Sequence, residues 1–230
     1  VKRFWKDVAV TDGADGFGIT LDGRPLRTPA RASLLVPTQG LADAIADEWR
    51  DSPDEVDPRA MPLTGLANAA IDRIAPQRDA FAADLARYAE SDLFAYRADG
   101  PRPLVERQTV AWDPLLQWAR RRFDIDFAVT AGVTFVAQPE DTVRKLGHAV
   151  AALDPFRLAA LSPLVTIGGS LVAALAVLEE EVSPAEAWAA VTVDDIWQRD
   201  QWGEDAEAAA ALRNRERDFL AAARLLSLLD

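Results

Sequence analysis

The sequence predicts an α+β protein, with a small N-terminal β-rich domain over 1–75 and a larger all-helical domain over 76–230. Three observations predict it. Asp-Gly pairs punctuate short alternating runs in the first forty residues, and the apolar period changes to a helical one at Thr38. Half of the 230 residues are apolar and 27% are charged, an ordinary globular balance with enough apolar surface to bury a core.

In the sheet region, Val8-Ala9-Val10 leads into Thr11-Asp12-Gly13-Ala14-Asp15-Gly16, then Phe17-Gly18-Ile19-Thr20-Leu21, then Asp22-Gly23. The glycines stand where hairpin turns require positive φ, so these runs read as antiparallel strands. Arg24-Pro25-Leu26-Arg27-Thr28-Pro29 and Leu34-Leu35-Val36-Pro37 continue as short extended pieces, with prolines suited to edges and turns.

Thr38 can cap a helix carrying Leu41, Ile45 and Trp49 at four-residue spacing. The Pro-rich stretch 52–62 reads as a loop. Leu63, Leu66, Ala67, Ala70, Ile71 and Ile74 form a second stripe, ending before Pro76, and Phe81, Leu85 and Tyr88 a third. Asp99-Gly100-Pro101-Arg102-Pro103 is a break, after which Asp113-Pro114 is expected to cap a helix through Trp118 and Phe123. Val143, Leu146, Val150 and Leu153 predict another helix, closed by Asp154-Pro155. Ser183-Pro184-Ala185-Glu186 has the capping-box pattern, Thr192 to Asp195 can start a further helix, and Glu204 to Leu228 ends the chain as a long Ala-rich one. There is no internal repeat. Leu158 to Leu178 has no charged residue, but Pro163, Gly168, Gly169 and Ser170 interrupt it, which predicts buried core and no membrane insertion.

Composition removes much enzymology. The chain has no cysteine, so thiol nucleophiles, disulfides and Cys-ligated metals are excluded, and His148 is the only histidine. Lys and Arg number 25 against 37 Asp and Glu, a net charge of −12, which disfavours nucleic acid and anionic lipid as partners. The opening Val1-Lys2-Arg3-Phe4-Trp5-Lys6 is followed by no apolar signal core, which predicts a cytoplasmic location.

Few residues carry chemistry by pattern. Gly168-Gly169-Ser170 follows an apolar run, but no Lys follows and the spacing fits neither phosphate-loop pattern, so close helix packing is expected and no nucleotide. Glu179-Glu180-Glu181, Asp194-Asp195 and Glu204-Asp205 could serve a carboxylate-dependent hydrolase; equally, they suit solvent or a helix dipole. Among seven tryptophans, Trp188 reads as core. Trp197 and Trp202 alternate with Gln198, Arg199, Asp200 and Gln201, a segment too polar for full burial and similar in composition to a protein–protein hot spot.

Phe4-Trp5-Lys6, Leu21-Asp22-Gly23-Arg24-Pro25-Leu26-Arg27-Thr28-Pro29, Ala46-Asp47-Glu48-Trp49 and Met61-Pro62-Leu63-Thr64 stand in one order along the first half. Ser91-Asp92-Leu93, Tyr96-Arg97, Gln108, Trp112-Asp113-Pro114-Leu115, Gln198 and Gln201-Trp202-Gly203 continue it. Each is weak alone. Together they resemble the family of assembly chaperones for the α subunit of ATP synthase, in its bacterial form.

The resemblance implies a small β-rich domain before a helical one, no catalysis and no cofactor or metal. It implies that the chain binds the unassembled α subunit of the catalytic head, over the face that later meets the β subunit. Such a chaperone is cytoplasmic in bacteria and in the mitochondrial matrix of eukaryotic relatives. The family's acidic positions fall on Asp194 and Asp195, where glutamate is usual, so the client-binding set expected here is Asp194, Asp195, Gln198, Gln201, Trp202 and Glu204. The alternatives are the carboxylate-dependent hydrolase and a generic interaction domain with another client.

Overall fold

The computed structural model describes residues 2–132, 134–203 and 205–230. They form two compact units: Val1–Arg78 with Asp154–Ala160 and Arg224–Asp230, and Asp79–Leu153 with Leu161–Ala223.

In the first unit, β1 (Val8–Gly13) and β2 (Gly16–Leu21) form an antiparallel hairpin, registered from Val8↔Leu21 to Gly13↔Gly16. The Asp22-Gly23 turn has φ of 50° and 77°, the left-handed backbone that the Asp-Gly pair predicts. Lys6 and Asp7 donate their N–H groups to the Asp22 carboxylate at 3.0 and 2.9 Å, and these bonds hold its pKa below the ordinary value. On the other side of β2, β3 (Arg24–Pro25) pairs at Leu21 and Thr20, and β4 (Leu35–Val36) at Gly18 and Phe17. A Cβ at Gly16 would stand 2.7 Å from the Val36 carbonyl oxygen, so the close strand approach requires glycine there. Both oxygens of Asp72 hold the Arg24–Pro29 segment, accepting from the Thr28 hydroxyl and the Ala30 N–H.

Helix α1 (Gln39–Arg50) is capped by Thr38, whose hydroxyl oxygen accepts from the Leu41 N–H, and it packs on β1 and β2. Leu41 and Ile45 are fully buried with Ile19, Leu34 and Val36. Trp49 is only half-buried: its ring lies 4.9 Å from that of Trp5, and its carbonyl accepts from the Trp5 indole N–H. The expected loop 52–62 holds a single tight turn before α2 (Pro62–Ala69). Met61 gives α2 no side-chain cap. Glu48 of α1 substitutes, accepting from the Leu63 N–H, the Thr64 N–H and the Thr64 hydroxyl at 2.7, 2.8 and 2.7 Å. After α2 the helical path does not stop at Pro76. A wide π turn (Ala70–Ile74) and a tight turn (Ala75–Gln77) lead into α3 (Arg78–Ala86), because Pro76 has no N–H and the ladder re-spaces around it.

The second unit is built around α7 (Leu171–Leu178), buried along Leu171–Val177 and packed on α4 (Arg102–Phe123) and α8 (Pro184–Val191). Helix α4 corrects one expectation: it does not begin at Asp113-Pro114 but runs through Pro114 from Arg102. Pro114 removes one bond, to the carbonyl of Val110, and Val110 is 77% exposed, so water can take that carbonyl. The capping box of Ser183 and Glu186 opens α8 as expected, and α5 (Glu140–Ala151) follows Pro139. The helical part also carries one parallel pair absent from the sequence reading, β5 (Tyr96–Arg97) with β6 (Thr130–Ala131).

The interrupted apolar stretch forms two helices, α6 (Pro155–Gly168) and α7, and no helix of the described residues is long and apolar enough to cross a membrane. A Cβ at Gly168 would meet Val191 at 3.3 Å and Phe219 at 3.4 Å, the close packing expected of this glycine pair. Ser170 caps α7, and its hydroxyl also donates to the buried carboxylate of Asp92 at 2.8 Å. The chain ends with α9 (Val193–Trp202) and α10 (Ala206–Ser227).

Candidate functional site

Five of the six expected client-binding residues lie on α9 within the second unit; Glu204 lies outside the described residues. Thr192 precedes the helix, but its hydroxyl donates back to the Trp188 carbonyl and does not cap α9. Asp194 and Asp195 occupy the first turn, where the free N–H groups favour carboxylates. Gly203, at φ 86°, ends the helix by returning its N–H to the Arg199 carbonyl.

The carboxylates already have partners. Asp194 accepts from the Gln108 side-chain amide at 2.8 Å, and the other end of that amide accepts from the Ala98 N–H. Gln108 is 2% exposed, so this bridge is a buried tie between α4, α9 and the end of β5. Asp195 accepts from Arg215 of α10 at 3.3 Å, and Arg215 also donates to the Ile167 carbonyl. By contrast, Gln198 and Gln201 are exposed, and Trp202 is 80% exposed. Helical spacing sets Asp194, Gln198 and Gln201 on one face.

Trp197 departs from expectation. It is 9% exposed and covered by the Arg107 guanidinium, 4.9 Å from its ring centre, while Arg107 pairs with Asp200 at 2.8 Å. The polar residues around it point outward because Val193 and Trp197, four apart, are the buried stripe of α9.

Beside α9 lies a groove of about 1030 Å³, walled by α4, α8 with α9, and α10. Trp188, Val193, Ile196 and Leu212 line it, and Arg199 and Arg213 stand on its margin. Sequence reasoning missed this feature. Placing a helix start at Asp113 left Arg107 and Val110 in a supposed linker, although Gln108, Trp112, Leu115 and Ala119 mark one buried face across Pro114. Nothing here assembles a catalytic constellation: His148 is exposed on α5, and among the described residues no group of three or more His, Cys, Asp or Glu side chains could hold a metal ion.

The whole architecture is shared with solved proteins. Atp12 from Paracoccus denitrificans is similar over 100% of this chain and 98% of its own, with 42% identity and a TM-score of 0.95. A protein from Agrobacterium tumefaciens, described as a chaperone, is 41% identical over 100% of this chain and 86% of its own, also with a TM-score of 0.95. The mitochondrial protein atp12 of Schizosaccharomyces pombe is 25% identical over 98% of this chain and 82% of its own length. The class these likenesses define is a chaperone with a small sheet unit and a helical unit. Residues 2–120, just over half of the chain, match the family described as ATP12 chaperone protein, and the chain belongs to that family.

Proposed function

We propose that this chaperone serves ATP synthase assembly by binding the unassembled α subunit, covering its β-facing surface until the catalytic head forms. Family membership carries the reading. The α9 surface supports it, because an 80% exposed tryptophan between exposed amides is costly to leave in water and suits a partner. The contact set is Asp194, Asp195, Gln198, Gln201, Trp202 and Glu204. In it Trp202 is the anchor, and the two aspartates hold α9 in place through Gln108 and Arg215. The hydrolase alternative gains no support, since both aspartates of the pair are engaged by partners within the fold. The proposal includes no cofactor and no nucleotide, and the bacterial cytoplasm as the place of action.

The test is protection of purified α subunit from aggregation on dilution from denaturant. Wild type protects at about one to one, and Trp202→Ala with Gln201→Lys weakens capture about tenfold or more with unchanged circular dichroism. Full protection by that variant refutes the α9 surface. No protection by wild type at any ratio refutes the α subunit as client.

A further inference from the structure

The groove walled by α4, α8 with α9, and α10 is not part of the contact set above, and its chemistry is distinct from that set. Its apolar lining is open to solvent, and Val110 on the α4 wall is 77% exposed. A helix-walled apolar groove is the usual seat of an amphipathic helix, whose anchors recur at three- and four-residue spacing. The margin selects the charge of that helix. Arg199 lies 4.0 Å from Asp200, a carboxylate that Arg107 holds at 2.8 Å, and Arg213 makes no ion pair or hydrogen bond among the described residues. On the opposing side, Glu106 is taken up by Arg102 at 2.6 Å. Glu216 is the remaining acidic group on the lining. The available charge on the rim is therefore cationic, in a chain whose net charge is −12.

We propose that this groove seats an acidic amphipathic helix of the protein client, with its apolar stripe on Ile196 and Leu212 and a carboxylate against Arg199 and Arg213. Val110 stands beside the apolar stripe and Arg107 stays committed to Asp200 and Trp197. The proposal rests on the reading that the chain binds a protein client, but its chemistry can be tested without that client.

The probes are two synthetic Leu/Ala amphipathic peptides of about 18 residues, long enough to hold a helix. One carries Glu on its polar face; its twin carries Lys there. Titrated against the full chain by fluorescence anisotropy, the Glu peptide binds at least about tenfold tighter than the Lys peptide, and raised salt narrows the gap. Val110→Asp, an exposed position, removes binding of both peptides, and Arg199→Glu with Arg213→Glu inverts the preference. Equal binding of the two peptides, or binding indifferent to these variants, overturns the proposal. A wild-type dimer that Val110→Asp dissociates in analytical ultracentrifugation also overturns it, by making the occupant a second copy. Groove-dependent peptide binding with no capture of the α subunit leaves the groove chemistry standing and rejects that subunit as client.

Discussion

Asp92 is the most consequential buried charge in the described fold. Its side chain is fully buried; one oxygen accepts from the Phe94 N–H at 3.0 Å and the Ser170 hydroxyl at 2.8 Å, and the other from the Val172 N–H at 2.9 Å. Burial pushes its pKa from the ordinary 3.8 up to about 6, with the donors pulling the other way. The folded state therefore holds the proton more tightly than the unfolded chain. The resulting stabilisation is complete below about pH 4 and is lost as pH rises through about 6. From 3.8 to about 6, at about 1.4 kcal/mol per pH unit, the loss is about 3 kcal/mol. Asp92→Asn does not titrate. Its amide oxygen can serve Phe94 and Ser170, which turns the amide nitrogen against the Val172 N–H at a cost of about 1–3 kcal/mol. Urea unfolding of both proteins from pH 4.5 to 7.5 gives the comparison. Wild type leads by most at low pH, and its lead shrinks by about 3 kcal/mol by pH 7.5. A constant lead refutes the raised pKa. A lead that grows with pH shows that the donors outweigh burial.

Two further perturbations test the first unit. Glu48→Ala leaves the first turn of α2 without its acceptor and is expected to cost about 2–3 kcal/mol, since bonds to a charged group are worth about 1.5–3 kcal/mol each and water reaches part of this site; an unchanged urea midpoint refutes the cap. Trp49→Ala removes a half-buried ring stacked near Trp5, so its cost falls near the low end of the usual 3–5 kcal/mol, about 3 kcal/mol; a loss under about 1 kcal/mol by the same assay shows that the Trp5–Trp49 pair is not core.

Much of the fold is legible because its signals are local. Asp22-Gly23 encodes a turn through its own backbone preference, Thr38 encodes a cap within one helical turn, and Ser183 with Glu186 encodes another. Illegible features depend on distant chain. Pro114 reads as a helix start because its ring suits a first turn, yet the buried face from Gln108 to Ala119 outweighs one lost hydrogen bond. Residues 154–160 and 224–230 join the first unit by packing that no local period marks. Likewise Glu48 looks like a solvated charge beside Trp49 until Thr64 is found against it.

The same division runs through the α9 surface. At a helix start, Asp194 and Asp195 are favoured by the exposed N–H groups whether or not a partner ever meets them, so sequence alone leaves dipole and interface equally served. Their tertiary partners lie 86 and 20 residues away, Gln108 before and Arg215 after. A carboxylate that already accepts from a 2% exposed amide exchanges that bond for a client arginine only by stranding the amide, a loss of about 1–3 kcal/mol to set against the new pair. The exposed half of the motif carries no such debt. Gln198, Gln201 and Trp202 face solvent with their polar groups hydrated, and desolvating the indole is favourable in itself. A family pattern that names acid, amide and aromatic together thus divides into two physical tasks: the acids fix where α9 lies, and the amides and indole are what a partner can touch.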